Sequence, residues 1–578
     1  MAKTKLTPRD LQQYGYRIAR RLARTSLPEI LYVSTFILMR YLANSDFSYP
    51  SELIIPLVMF AIAATAAFYM YRLILRRTFT AHVAALPFIY SLYSFRYYFD
   101  SSEQLLRAIL PRQWETRFII NMLLLIILAI LFGLFGFVVV KLLSWKAMRG
   151  LQLPKVLIFV VSFLFLIQTL KVGIRIWEIR RELTYQYQAT MPLQDKSKIK
   201  TKPDIYYLVF DRYGNDETLR DIYDHDNSGL ANMFKTQGFV TRAEAYANYP
   251  FTMQSITSTL TLNYHTELGR LFGKDNFQTG FPYRSIFNDP PVAQILKQNG
   301  YNYNQVSSWW DFTRIGIKAD SEPTKSFRLN FFKWHFYLSD LSRDILYKSV
   351  YSPLLEKGVS IGKTPLIKHD LDHNPRQNFE NQLSALKNLA GQKQSQPQFT
   401  FAHVLLPHPP YVFDKDGSEP NYDHERTDIG ADENVKYINE LIYLNKRLEE
   451  LIRYMRLGSP DAVIIVQADE GPYPKEFRHE LTPDNFYNPI NLALPQMRQK
   501  FGIQASYFLP GVDEQTVKQN ITASVNSFRF VLAHYLGYSL DMLPDCNFAS
   551  GNKFNVYDYQ LVTDKLTGKP SPPACSFY

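Results

Sequence analysis

The sequence predicts a helical membrane region of about five spans, followed by an α/β sandwich domain with a largely parallel central sheet. Three observations carry this. Long apolar runs are confined to the first third of the 578 residues. Lys and Arg crowd the flanks of those runs. Beyond residue 203, short β-rich runs alternate with amphipathic helical patterns, the signature of strands joined by helices. The length itself exceeds one ordinary domain.

Four runs, 27–42, 53–75, 118–143 and 154–172, have the length and apolarity of membrane spans. A fifth, 81–95, is shorter and carries Pro87. Orientation follows the basic residues. Lys3, Lys5, Arg9, Arg17, Arg20, Arg21 and Arg24 precede the first span and place the N-terminus in the cytoplasm. Arg72, Arg76 and Arg77 mark one cytoplasmic turn, and Lys141, Lys146, Arg149 and Lys155 mark another. The two turns agree only if the weak fifth run crosses, which puts the C-terminal domain outside. Without that crossing the count is four and the domain is cytoplasmic. Arg96, Arg107, Arg112 and Arg117 in the external loop pull against the five-span reading. No secretory cleavage pattern precedes the first span, because a long charged segment comes first. Residues 9–26 interleave Arg with aromatic and aliphatic side chains and read either as an interfacial helix or as a solvated basic arm. The expected divisions are a basic N-terminal segment 1–26, a transmembrane domain 27–175, a linker 176–202, a catalytic domain 203–545 and a tail 546–578.

The net charge of +11 is modest for this length and sits at the membrane flanks, where it serves topology and contact with anionic lipids. No nucleic-acid-binding signature occurs, and no nucleic-acid partner is expected. The two cysteines, Cys546 and Cys575, exclude Cys-x-x-Cys and Cys/His zinc spacings. Outside the cytoplasm they would form one disulfide pinning the tail; two unpaired thiols are the equal alternative.

In the soluble region, 205–210, 398–406 and 461–467 read as buried-type strands, and 228–238 and 290–300 as helices closed by Gly238 and Gly300. Residues 434–455 form a long helix with Ile438, Leu441, Ile442, Leu448, Leu451, Ile452 and Met455 on one face. Ligands of such sheets sit beyond the carboxyl ends of the strands. There the chain places Asp211, then His403 and His408, then Asp469 and Glu470. Thr252 follows Pro250 at a predicted helix start, where a hydroxyl lies in a positive field and can be deprotonated beside a metal. Each has a plainer reading. Asp211 could close an Asx turn, Thr252 could be an N-cap, the Pro-His-Pro-Pro-Tyr stretch a rigid turn, and Asp469-Glu470-Gly471 a solvated turn. Their weight comes from standing together at the ends of their elements.

This arrangement resembles the alkaline phosphatase/sulfatase superfamily, in the branch of lipoteichoic-acid-synthase-like membrane proteins. The resemblance covers roughly residues 203–540 plus the membrane layout. It rests on "LVFDRYG" around Asp211, "TMQSITSTLT" from Thr252, "HVLLPHPPY" from His403, "YINELIYLNKRLEELI", "LKQNGYNYNQV" and "VQADEGPYP". It implies a sandwich domain of alkaline phosphatase/sulfatase type with Asp211, Thr252, Asp469 and Glu470 as metal ligands. Thr252 would also be the nucleophile, and His408 a catalytic residue. His403, Arg212 and Ser255 would contact substrate. A threonine at the nucleophile position disfavours a formylglycine sulfatase. Where the family has Ser-Asp-His-Gly, this chain has Ala468-Asp469-Glu470-Gly471. The resulting all-oxygen set favours one Mn²⁺ or Mg²⁺ over Zn²⁺.

The function implied is a plasma- or inner-membrane transferase with an extracytoplasmic active site. It would move a phosphoglycerol-like headgroup from a lipid donor to an envelope glycan or lipid, through a phospho-threonine intermediate. The phosphoethanolamine version is weaker, since such relatives usually carry several disulfides. The alternatives are a phosphoester or sulfoester hydrolase on the same fold and a catalytically silent membrane scaffold or binding protein.

Overall fold

The computed structural model describes residues 25–96, 117–143, 152–273, 278–314, 316–324, 328–331, 334–352, 359–361, 364–367, 374–392, 394–420, 433–474, 488–551 and 555–578. The basic segment before residue 25, with most of its expected interfacial helix, lies outside the described residues, as do Arg107, Arg112, Lys146 and Arg149. The chain divides into two units, Met1–Glu178 with Phe327–Asp370, and Ile179–Ser326 with Leu371–Tyr578.

The first unit is built on helices α1 (Leu27–Asn44), α2 (Ile54–Leu75), α3 (Thr78–Tyr93), α4 (Arg117–Leu143) and α5 (Leu153–Glu178). Pro28 sits in the first turn of α1, where its missing N–H costs no hydrogen bond. Helix α2 stops at Arg76, whose φ of 58° closes it in the left-handed region. Among the described residues, three segments are long and apolar enough to cross a membrane: Pro50–Leu75, Leu125–Leu142 and Pro154–Glu178. Helix α3 has 16 residues, a rise of about 24 Å against a hydrocarbon core of about 30 Å, and α1 carries Glu29 and Arg40. Ile37, Tyr41, Phe60, Phe68, Ala84 and Ile89 form the interior. A Cβ on Gly136 would lie 2.7 Å from the Ala84 Cβ, so glycine sets the close approach of α4 to α3. The later segment adds a helix, Asp340–Tyr347, whose Leu341, Ile345 and Leu346 enter this same core. It is tied by an Arg40–Asp344 ion pair and by Ser342 Oγ donating to Glu52 O at 3.0 Å. Just beyond it, Tyr351 OH donates to Met59 O at 2.6 Å.

The second unit carries a six-stranded sheet: β1 (Ile205–Phe210), β2 (Val240–Thr241), β3 (Asn302–Val306), β4 (Gln398–Val404), β5 (Val463–Ala468) and β6 (Ala505–Phe508). The order is β2-β6-β5-β1-β4-β3. β1 runs parallel to β4 and β5, and β3 parallel to β4; β6 and β2 join antiparallel at one edge. All residues of β1, β4 and β5 are buried, as expected of strands covered on both faces. Helices α6 (Thr252–Thr261), α7 (Glu433–Gly458) and α8 (Leu494–Phe501) bear on the site. In α7, Leu441, Leu444, Leu448, Leu451, Ile452 and Met455 are buried on one face. Cys546 and Cys575 form a disulfide packed with Tyr249, Tyr264 and Phe548.

Candidate metal and nucleophile site

The parallel register brings the chemistry to one edge. Val209 of β1 lies level with His403 of β4 and Gln467 of β5, and Phe210 lies level with Val404 and Ala468. Asp211 and Asp469 therefore leave their strands side by side, with His403 just before the end of the strand between Asp211 and β3. Asp211, His403 and Asp469 offer ligand atoms that all lie within 4.8 Å of one another, and all three residues are buried. His403 Nε2 is 3.8 Å from Asp211 Oδ2 and 4.0 Å from Asp469 Oδ2.

Two of these side chains are held by their other polar atom. Asp469 Oδ1 accepts from the backbone N–H of Arg212 at 3.2 Å and of Glu470 at 2.8 Å. Arg212 reaches it by adopting a φ of 62°, a strained conformation outside glycine. His403 Nδ1 lies 3.0 Å from Thr313 Oγ1. The atoms left over, Asp211 Oδ1, His403 Nε2, Asp469 Oδ2 and Glu470 Oε2, are buried and have no hydrogen-bond partner among the described residues. Buried polar atoms without partners are costly. Such a cluster fits a divalent cation, and the donor set contains an imidazole nitrogen beside the carboxylate oxygens. Burial and the neighbouring negative charges of Asp469 and Glu470 hold the Asp211 carboxyl well above its usual range. Burial, with Glu470 beside it, pushes Asp469 up to about 7. Burial depresses the His403 imidazole to about 3.

Helix α6 begins at Thr252, after Phe251 in extended backbone. The Thr252 hydroxyl lies beside the Asp469 carboxylate and draws that acid's pKa back down against the effect of burial. Ser255, one turn on, is fully buried, and its Oγ is without a partner among the described residues.

Glu470 sits differently from Asp469. Its Oε1 is 2.7 Å from Lys500 Nζ and 3.2 Å from Arg212 Nε. The Tyr473 ring contacts both cations, with Arg212 Cζ and Lys500 Nζ each 3.9 Å from its centroid. Burial lowers the Lys500 ammonium to about 8, against the pull of Glu470. His408 is half-buried, with Trp309 edge-on at 6.3 Å. Its Nδ1 donates to Pro409 O. Burial first, then the Arg212 charge, hold it well below the usual imidazole range, so it is neutral near pH 7 with Nε2 as an acceptor.

Asp211, Thr252 and Asp469 thus stand together, and His403, expected from the sequence as a substrate contact, stands with them. Glu470 and Arg212 are bound to each other, and Glu470, expected as a metal ligand, is not one of the three residues that converge. Lys500, Tyr473 and Thr313 carried no local signal: each is placed by a helix or loop whose packing the strand ends do not encode.

Residues 225–491 match the sulfatase family model. No curated protein matches the chain by sequence. Similar solved structures include the lipooligosaccharide phosphoethanolamine transferase A of Neisseria meningitidis, at 12% identity, covering 90% of this chain and 96% of that one with a TM-score of 0.39. The C-terminal periplasmic domain of EptC from Escherichia coli is 12% identical and covers 66% and 98%, with a TM-score of 0.40. The lipoteichoic acid synthase LtaP of Listeria monocytogenes is 11% identical and covers 65% and 91%, with a TM-score of 0.34.

Proposed function

We propose, from the premise that this chain carries a sulfatase-family domain, that it is a membrane-bound, metal-dependent phosphotransferase using Thr252 as nucleophile. The observation that carries this reading is the buried Asp211–His403–Asp469 group, whose ligand atoms converge within 4.8 Å, with Thr252 beside Asp469 at the start of α6. Asp211, His403 and Asp469 would hold a divalent cation, while Glu470, expected as a further ligand, is paired with Lys500 and Arg212 instead. A mixed carboxylate and imidazole set suits Mn²⁺ or Zn²⁺ better than Mg²⁺. When bound, the cation supplies a Lewis acid that lowers the hydroxyl pKa and polarises a phosphoryl oxygen.

Thr252 Oγ attacks phosphorus. The Oγ–P bond forms as the bond to the donor alcohol breaks, the hydroxyl proton passes to Asp469, and the departing alkoxide is protonated by water. His408 Nε2 then accepts the proton of the incoming acceptor hydroxyl, which attacks phosphorus as the P–Oγ bond breaks, and the proton held by Asp469 returns to the Thr252 oxygen. Arg212, with its side chain 14% exposed, offers charge to an anionic donor. Tethering to membrane helices favours a lipid-borne phospho-headgroup as donor, and an envelope glycan or lipid as acceptor.

The membrane layout belongs to the same reading. Asp340–Tyr351 meets the end of α1, the start of α2 and the end of α3. Arg175, near the end of α5, bonds Asp46 at 2.6 Å and Ser45 at 3.2 Å. These ends share one face, as five crossings require; the basic residues that flank the opposite ends then favour a cytoplasmic N-terminus and an extracytoplasmic catalytic domain.

The test is product analysis by mass spectrometry on the full chain in lipid vesicles, for wild type and Thr252→Ala. The reading expects headgroup transfer and a phosphorylated Thr252 in wild type only. Turnover unchanged by Thr252→Ala sinks the covalent mechanism. Release of headgroup to water alone makes the protein a hydrolase. No metal and no turnover makes it a silent scaffold.

A further inference from the structure

We propose that Thr313 is a positioning residue that fixes His403 with Nδ1 protonated and Nε2 bare toward Asp211 and Asp469. The inference rests on the reading of His403 as a metal ligand, and it concerns the loop after β3, whose fold the sequence does not disclose.

Protons can be counted along one chain of contacts. Thr313 Oγ1 lies 3.0 Å from His403 Nδ1 and 2.7 Å from Ser308 Oγ. Ser308 Oγ in turn lies 3.2 Å from the Trp310 carbonyl and accepts from the Trp310 N–H at 3.1 Å. A carbonyl oxygen can only accept, so the contact to Trp310 O requires the Ser308 proton. Ser308 Oγ then has only lone pairs left for Thr313, so Thr313 donates to Ser308. Thr313 has one proton, and it is now spent; toward His403 it can only accept. Nδ1 must therefore carry the hydrogen. A neutral imidazole has one, so Nε2 presents a lone pair. The reverse assignment would break the Ser308–Trp310 contact and aim an N–H at the cluster.

The three side chains of this relay are buried: Ser308, Thr313 and His403 are each 0% exposed. The loop that carries it is also braced. Thr313 O accepts from Gln305 Nε2 at 3.0 Å, and Thr313 N donates to Trp310 O at 3.1 Å. Arg314 binds Asp311 at 2.9 Å and Trp309 O at 2.8 Å. Trp310 stacks on Phe312 and meets the His403 ring edge-on at 5.6 Å. A ligand imidazole whose distal N–H is bonded in this way has its ring orientation and tautomer set before the cation arrives.

The experiment measures Zn²⁺ and Mn²⁺ dissociation constants by chelator competition on the full chain in detergent. It compares wild type, Thr313→Val, Thr313→Ser, Ser308→Ala and His403→Ala. Thr313→Val is isosteric but cannot accept, and should weaken metal binding about 10- to 100-fold, whereas Thr313→Ser should stay within about threefold. Ser308→Ala frees the Thr313 proton to turn toward His403 and should lie between them. Thr313→Val binding like wild type overturns the proposal; so does Thr313→Ser failing as badly as Thr313→Val, which would make the role one of packing. Should Thr313→Val not fold, wild-type affinity in Ser308→Ala overturns it. His403→Ala binding metal like wild type would instead overturn the ligand reading on which the inference rests.

Discussion

Glu470 Oε1 and Lys500 Nζ lie 2.7 Å apart, with side-chain exposures of 2% and 0%. A charge this deeply buried is tolerable only while its partner is present. Arg212 gives Glu470 a second contact at 3.2 Å, while Lys500 has the Gly471 carbonyl at 3.3 Å and the Tyr473 ring besides. Lys500→Met should therefore destabilise the protein by about 3 kcal/mol, the lower end expected for breaking a buried pair. The double variant E470Q/K500M should recover at least half of that loss. Thermal unfolding of the four proteins of this cycle checks it; simple additivity would mean that the pair carries no coupling.

Gly471 turns this pair into a backbone constraint. A Cβ there would fall 2.0 Å from Gln499 O, 2.7 Å from Gly502 O and 3.0 Å from Lys500 O. These are carbonyls around the end of α8, so no side chain can swing away to make room. Gly471→Ala should cost about 1–3 kcal/mol as overpacking and draw Lys500 off Glu470. Gly229, inside the helix Ser228–Thr236, would meet nothing within 4 Å if it carried a methyl group. Gly229→Ala should leave stability unchanged or raise it by up to about 1 kcal/mol. Unfolding midpoints that move equally for the two would refute the packing argument.

Asp211, Thr252 and Asp469 were legible in the sequence because their signal is local: an apolar strand or a proline-led helix start, then a polar residue. His403 was ambiguous for a geometric reason. Its side chain points to the site only because β4 lies beside β1 in one particular register, which no stretch of β4 encodes alone. Thr313 is 90 positions from His403. Lys500 reaches Glu470 through the packing of α8, so neither could be read from spacing. The central parallel strands followed from their apolar runs. The antiparallel edge, β2 and β6, rests on two- and four-residue strands too short to carry a pattern. The return of Asp340–Tyr347 to the helical unit was equally hidden, because its contacts, such as Arg40 with Asp344, join residues 304 positions apart.

Glu440 gives a pH test away from the metal cluster. Its carboxylate is buried on α7 and accepts from the Val412 N–H at 2.7 Å and the Phe413 N–H at 3.2 Å, holding the segment that follows His408. Burial pushes it up to about 8. The folded protein thus keeps a proton that the unfolded chain releases near the ordinary glutamate value. Between those two points the native state binds more protons, so stability falls as pH rises. Glu440→Gln keeps the acceptor oxygen and cannot ionise. The difference in unfolding midpoint between Glu440→Gln and wild type should grow in favour of the variant from pH 5 to pH 8. A constant difference would contradict the buried, proton-retaining carboxyl.

Metal loading should report on the whole cluster. Without a cation, burial and mutual repulsion raise Asp211 and Asp469, so the cluster holds protons near neutral pH. A divalent ion must displace them, and its binding weakens as pH falls. At 100-fold excess over Kd, Zn²⁺ or Mn²⁺ should add about 2.7 kcal/mol of stability, with a larger rise in Tm at pH 8 than at pH 6. Asp469→Asn separates the ligand role from the structural one. Its Oδ1 can still accept from Arg212 and Glu470 N–H, while the repelling charge and one ligand oxygen are gone. Metal-free Asp469→Asn should therefore be at least as stable as metal-free wild type, yet lose the metal-dependent rise. A variant that melts lower without metal and still responds to it would place Asp469 in the fold rather than in the metal centre.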